Sequence, residues 1–167
     1  MSVITAKVYE DKIVMAADSI IVRGWSKKTN GNFAKIASIN GMLAGGTGTA
    51  EENSLLWHFM RTHKPLSGSD KDVLEFFVEF SKWKGAMNRP TTIDNVYLFA
   101  YDGHLFEVDR MFVYEIHDYD AVGAGDDYAN AALYLGHSPE EAVKVACELC
   151  CYVSEPILTY EMPRNNP

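Results

Sequence analysis

Apolar residues follow two periods along this chain, and the switches between them divide it into blocks. Residues 3–9 alternate, with Ile4, Ala6 and Val8 against Thr5, Lys7 and Tyr9, the repeat of a strand buried on one face. Glu10-Asp11 turns the chain into residues 12–18, whose Ile13-Val14-Met15-Ala16-Ala17 run suits a strand covered on both faces. A polar, glycine-containing segment follows. Residues 34–39 and 42–46 then read as short strands joined at Asn40-Gly41, a dipeptide that favours a tight hairpin turn.

The period next becomes helical. Thr49-x-x-Glu52 forms a capping box, and Leu55, Leu56, Phe59, Met60 and His63 follow on one face. Ser69-x-x-Asp72 caps a second helix carrying Val73, Phe76, Phe77 and Phe80 at helical spacing. Strands resume at 95–100 and 104–108, across Asp102-Gly103, and again at 119–122. After the Gly123-Ala124-Gly125 turn a short helix starts near Asp126. Ser138-Pro139-Glu140-Glu141 opens a fourth helix with a serine cap, proline at the first helical position and glutamate at the third. Its buried face is expected to hold Ala142, Ala146, Leu149, Cys150 and Val153, and residues 157–160 are expected to form the last strand. No repeat, linker or low-complexity tract divides the chain, so one domain over 1–167 is expected.

The order is therefore strands, two helices, strands, two helices, strand. Long hairpins in place of strand–helix alternation argue against a doubly wound parallel sheet. The pattern predicts an α+β fold, a four-layer αββα sandwich of two antiparallel sheets with a helix pair outside each.

Composition narrows the function. A formal net charge of −8 leaves no basic stripe to neutralise nucleic-acid phosphates, and the small basic cluster within 23–28 reads as a solvated loop. No stretch reaches the roughly 18 apolar residues of a membrane span, and the start lacks the pattern of a signal peptide. Cys147, Cys150 and Cys151 crowd into one segment that suits no disulfide framework, so a cytoplasmic location is expected. Cys147-x-x-Cys150 is half of a zinc motif without a second pair, and the thiols read as core residues. His58 and His63 read as one surface and one core residue, and Glu51-Glu52 as helix-start charges favoured by the macrodipole. Trp57 sits off the apolar stripe and points to a partner surface.

The chemistry is concentrated at the start. Removal of Met1 gives Ser2 both a hydroxyl and a free α-amine, whose ordinary pKa of about 7.7–8 lies close to ambient pH. Asp18 ends the second predicted strand sixteen residues on, Lys35 opens a later strand, and Gly48 precedes the first capped helix. Taken singly, these three also fit a turn cap, a solvated lysine and a helix-entry glycine.

Taken together with Ile13-Val14-Met15-Ala16-Ala17-Asp18, Lys35-Ile36, Gly45-Gly46-Thr47-Gly48-Thr49-Ala50-Glu51, Val122-Gly123-Ala124-Gly125 and Cys150-Cys151-Tyr152, they carry a resemblance. In the order and spacing of these motifs the whole chain resembles the proteasome β-type and HslV-like family of N-terminal-nucleophile peptidases. The resemblance implies Ser2 as nucleophile where the family normally has threonine, Asp18 and Lys35 as its partners, and Gly48 as oxyanion-hole N–H donor. The match of Lys35 allows one inserted residue in the 24–32 loop. Thr5 is the alternative nucleophile, but it lies only thirteen residues from Asp18, out of register with the second strand.

The resemblance further implies a ring homo-oligomer, a polypeptide substrate, an ATP-dependent unfoldase as partner and no cofactor for peptide hydrolysis. It also implies a structural Na+ or similar monovalent cation on the backbone carbonyls of Cys147, Cys150 and Val153. The sequence departs from the family where Ala124 replaces a serine and Glu148 a shorter acid. The competing readings are an inactive ring or scaffold subunit of the same fold, and a small-molecule amidase working without a ring.

Overall fold

The computed structural model describes residues 1–24, 26–28 and 33–164. Its strands are β1 (Val3–Val8), β2 (Lys12–Asp18), β3 (Ile21–Arg23), β4 (Ser26–Lys28), β5 (Ile36–Ile39) and β6 (Met42–Thr47). Helices α1 (Ala50–Met60) and α2 (Asp70–Ala86) follow, then β7 (Val96–Tyr101), β8 (His104–Asp109), β9 (Phe112–Ile116) and β10 (Tyr119–Gly123). The chain closes with α3 (Asp126–Tyr134), α4 (Pro139–Leu149) and β11 (Ile157–Pro163).

Among the described residues two large antiparallel sheets form, one in the order β10-β1-β2-β11 and the other in the order β5-β6-β7-β8-β9, beside the small hairpin β3-β4. The alternation read along the strands places three apolar layers between four layers of structure. Ile4, Ala6, Ile13, Met15 and Ala17 of the first sheet meet Ile36, Leu43, Leu98 and Ala100 of the second. The alternate residues of the second sheet, Met42, Ala44, Tyr97 and Phe99, pack on Leu56, Phe59, Phe76 and Phe77 of α1 and α2. On the other outer face, Val3, Ala16 and Ala121 pack on Ala129, Leu133, Ala142 and Ala146 of α3 and α4. This small-residue layer lets the helix pair approach closely, whereas the opposite layer is built from aromatic rings packed tilted and edge-to-face. The four-layer αββα arrangement predicted from the element order is the observed one.

Local chemistry explains the boundaries. Thr49, Ser69 and Ser138 each accept an N–H of the first helical turn, and Ser138 and Glu141 complete a capping box. Asn40 and Gly41 both take positive φ in the β5–β6 turn, as a two-residue hairpin requires.

Three expectations are corrected. The polar segment after β2 contains the short hairpin β3–β4, so the basic cluster of 23–28 is partly strand; the rest of the 24–32 loop, at 25 and 29–32, lies outside the described residues. Strand β9 was not expected, because its entry turn places Arg110 at φ +60 without a glycine to announce it. Helix α4 stops at Leu149, which is 60% exposed, so only Ala142 and Ala146 of the expected face are buried within the helix; Cys150 and Val153 are buried beyond its end. Among the described residues no helix is long and apolar enough to cross a membrane.

Candidate active site

The β1–β2 hairpin sets the first contact. Its register pairs Ile4 with Ala17, which brings Val3 opposite Asp18 at the open end of the hairpin. The Val3 N–H donates to Asp18 Oδ1 at 2.9 Å, and Asp18 has no exposed surface. Asp18 Oδ2 accepts from Lys35 Nζ at 2.6 Å. Lys35 lies just ahead of β5, and its carbonyl accepts the Gly46 N–H at 3.0 Å, which ties it to β6. Lys35 Nζ also donates to the Met1 carbonyl at 3.5 Å, one peptide bond from the Ser2 nitrogen.

Residue 2 is held from the other side as well. The Ser2 carbonyl accepts the Gly125 N–H at 3.3 Å. Gly123, at φ +109, packs so closely that a Cβ there would stand 2.4 Å from the Ser2 carbonyl oxygen. Ser2 is consequently only 5% exposed. Burial is also the main influence on the charged pair. It pushes the Asp18 carboxyl up, against the Lys35 charge and the N–H groups of Val3 and Ile20. It pulls the Lys35 ammonium down, against Asp18.

Ser2, Lys35 and Gly48 border one cleft of about 500 Å3. Ile20, Ile21, Val22, Phe33 and Trp57 supply its apolar walls. Gly48 has φ +125, and a Cβ on it would lie 2.1 Å from Asn95 Oδ1, so no other residue fits this turn. Asp18 does not line the cleft and reaches it through Lys35. The four residues singled out from sequence are therefore gathered at one place by β1, β2, the start of β5 and the β6–α1 turn.

Other expectations fare differently. Thr5 is fully buried on the outer face of its sheet, where its hydroxyl donates to the Pro139 carbonyl at 2.9 Å, away from the cleft. Glu148 is exposed on α4, and the Ala124 carbonyl accepts from Cys150 Sγ at 3.3 Å. Trp57, expected off the apolar stripe, packs partly on the α1–α2 core and lines the cleft. His58 is exposed, while His63 is half-buried and stacks on Phe59 with ring centres 3.9 Å apart.

Glu52 is not the solvated helix-start charge its position suggests. It is buried and accepts from Lys84 Nζ at 2.8 Å, the Asn95 N–H at 3.1 Å and the Tyr97 hydroxyl at 3.1 Å. With Asn53 and Asn95 it forms a polar network behind Gly48 that no motif disclosed. The one available signal was an asparagine abutting the apolar run of β7.

Of the three thiols only Cys150 is buried; Cys147 is half-buried and Cys151 exposed, so Cys151 is no core residue. Burial pushes the Cys147 thiol up to about 11. Among the described residues no three His, Cys, Asp or Glu side chains are grouped to hold a metal ion. The carbonyls of Cys147, Cys150 and Val153 belong to the end of α4 and the turn after it, where the helix dipole favours a cation. The Cys150 carbonyl already accepts the Val153 N–H at 3.3 Å, which leaves it one lone pair.

No protein-family model matches the chain, and no curated protein matches its sequence. Solved structures do match it. BPH of Thiobacillus denitrificans is 20% identical with a TM-score of 0.85, over 99% of this chain and 100% of that one. The same protein in complex with epoxomicin gives 20% identity and a TM-score of 0.83, over 98% and 100%. Eukaryotic HslV from Trypanosoma brucei is 16% identical with a TM-score of 0.72, over 97% and 99%. The chain has the fold of these solved structures over 97–99% of its length.

Proposed function

We propose that this chain is a peptidase subunit whose nucleophile is Ser2, unmasked by removal of Met1. The observation that carries the reading is the double engagement of Asp18, which holds the Val3 N–H and Lys35 Nζ at once and so sets residue 2 beside a buried lysine at the mouth of the cleft.

In this mechanism Ser2 Oγ attacks a peptide carbonyl carbon, and its proton passes to the Ser2 α-amine, with Lys35 beside it. The oxygen that gains charge is met by the Gly48 N–H, a contribution of a few kcal/mol. Collapse breaks the C–N bond, the leaving amine takes the proton, and an ester to Ser2 remains. Water, deprotonated by the Ser2 α-amine, attacks that ester; the acyl C–O bond breaks, the acid leaves, and the proton passes from the α-amine back to Ser2 Oγ. Asp18 keeps Lys35 oriented and balances its charge. Serine supplies the hydroxyl without the methyl group that narrows χ1 in threonine.

The proposal extends to unfolded polypeptide substrates, assembly into a homo-oligomeric ring, supply by an ATP-dependent unfoldase and a cytoplasmic setting. The apolar cleft, the net charge of −8 and the structural likeness to HslV support these points. It assigns the carbonyls of Cys147, Cys150 and Val153 to a structural Na+, which would offset the negative end of α4 and take no part in hydrolysis.

Intact mass of the purified protein and peptide hydrolysis by wild type and Ser2→Ala test the reading. Loss of Met1, turnover by wild type and none by Ser2→Ala are expected. Full retention of Met1, or equal activity in Ser2→Ala, sinks it. Epoxomicin, bound by the Thiobacillus denitrificans protein, is the first ligand to try in a thermal-shift assay. A second reading, an inactive ring subunit, draws on Ala124 and on the exposure of Glu148; absence of turnover in protein that has lost Met1 and assembled would favour it.

A further inference from the structure

The turn that carries Gly48 is clamped by one buried amide. Asn95, directly ahead of β7, has no exposed surface. Its Oδ1 accepts the Thr49 N–H at 2.7 Å, and its Nδ2 donates to the Thr49 carbonyl at 2.9 Å. The same Nδ2 donates to Asn53 Oδ1 at 2.9 Å, so both hydrogens of the amide are used. Asn95 thus serves Thr49 as a neighbouring strand would, at a point where β6 has ended.

Asn53 anchors the other side of the turn, its Nδ2 donating to the Gly46 carbonyl at 2.8 Å. Gly48 lies between these anchors with its Cα packed on the Asn95 amide. The clamp is itself locked from behind. The Asn95 N–H donates to Glu52 Oε1 at 3.1 Å, and Glu52 is fixed by Lys84 and Tyr97. Glycine at φ +125 is the most easily reoriented residue of such a turn once a restraint is removed.

We infer that Asn95 is a positioning residue for hydrolysis: with Asn53 it fixes the 46–49 turn so that the Gly48 N–H is aimed at the developing oxyanion. The inference rests on the peptidase reading and adds a residue to it. An oxyanion donor acts only when it is held in place before the reaction, and the clamp supplies that restraint.

The test uses Asn95→Ala and Asn95→Ser, with Phe76→Leu as a control that weakens the α2 core without touching the turn. Turnover of a fluorogenic peptide, affinity for a peptide boronate and hydrogen exchange of residues 46–49 are measured. The boronate matters because its tetrahedral adduct with Ser2 places an oxygen where the oxyanion forms. Asn95→Ala is expected to lower kcat on the order of 10²-fold, the effect of about 1 Å of misplacement. KM stays within about twofold, since ground-state binding is not what the clamp serves. Boronate affinity falls in proportion to kcat, and exchange accelerates selectively at 46–49. Asn95→Ser shows the same pattern in weaker form, and Phe76→Leu, at a comparable loss of melting temperature, keeps kcat.

Wild-type kcat and boronate affinity in Asn95→Ala would overturn the assignment. So would a kcat loss that Phe76→Leu reproduces, or a rise in KM alone. Should neither Asn95 variant fold, rapid exchange of the Thr49 N–H in wild type overturns it, and slow exchange upholds the clamp. Wild-type protein without Met1 that neither hydrolyses peptide nor binds the boronate removes the peptidase reading, and the role of Asn95 with it. An active wild type beside an unaffected Asn95→Ala removes the role of Asn95 alone.

Discussion

Lys84–Glu52 and Lys35–Asp18 are alike in chemistry and burial, with N···O distances of 2.8 and 2.6 Å and side chains at most 9% exposed. They differ in what surrounds them. Glu52 accepts from Lys84, Asn95, Tyr97 and the Asp94 N–H, and Lys84 gives a second hydrogen to the Thr92 carbonyl at 2.6 Å while lying over the Phe80 ring. Both partners are enclosed, and the pair ties α1 and α2 to the start of β7. Lys35 gives one hydrogen to Asp18; among the described residues its other partner is the Met1 carbonyl at 3.5 Å, beside an open cleft. An ammonium has three hydrogens to place. Each lysine places two of the three on protein acceptors; what differs is that Lys84 lies over the Phe80 ring inside the core, whereas Lys35, with one long bond, borders the cleft.

Turnover breaks the likeness most sharply. Lys35→Met is expected to reduce kcat/KM by about 10²–10⁴-fold, the usual span for loss of a proton-handling group. Lys84→Met, corrected for folded fraction by circular dichroism, should retain at least about tenfold more turnover than Lys35→Met. Equal losses would mean that both pairs are only structural.

Stability treats the two alike. Removing either lysine strands a buried carboxylate and is expected to cost about 3–5 kcal/mol in urea unfolding at neutral pH. The pH trend identifies the cause in Lys35→Met. Asp18 is already raised by burial, and without the lysine it rises further. Between the ordinary carboxyl pKa and that raised value the folded state holds a proton that the unfolded chain releases. Stability of the variant therefore falls as pH rises through this window and levels off above it. A loss that is flat from pH 4 to pH 8 would contradict this account.

Smaller changes separate donors within each region. Tyr97→Phe removes one donor to the Glu52 carboxylate and is expected to cost about 1.5–3 kcal/mol, read from the urea midpoint. Thr5→Val removes a buried hydroxyl bonded to the Pro139 carbonyl and should cost about 0.5–1.5 kcal/mol. Turnover in Thr5→Val stays at the wild-type level, which assigns the nucleophile between the two hydroxyls on β1 and its start.

The fold was legible where neighbours in sequence decide it. Alternation along β1 put Ile4 and Ala6 on one face, the face between the sheets, and the caps at Thr49, Ser69 and Ser138 marked true helix starts. The β8–β9 turn was illegible because Arg110 takes a positive φ that glycine or asparagine would have advertised. The end of α4 was missed because Cys150 and Val153 continue the apolar spacing after the backbone has left the helix. At the site, Ser2 and Asp18 were legible through the resemblance, and the hairpin register explains why Val3 meets Asp18.

Glu52 shows where such reading stops. A glutamate after a threonine cap satisfies every local rule for a solvated helix start, yet Lys84 and Asn95, 32 and 43 residues away, meet it in the interior. By itself the sequence determined the hairpin that faces Val3 to Asp18, the order of the layers and the glycine at position 48, because these depend on contacts within a turn or one strand pair. Only the tertiary structure decided which charges are buried, that Lys35 meets Asp18 beside the cleft, and that Asn95 holds the turn of Gly48. Those are pairings between distant segments, and a buried lysine or asparagine is spelled like an exposed one until the layers close over it.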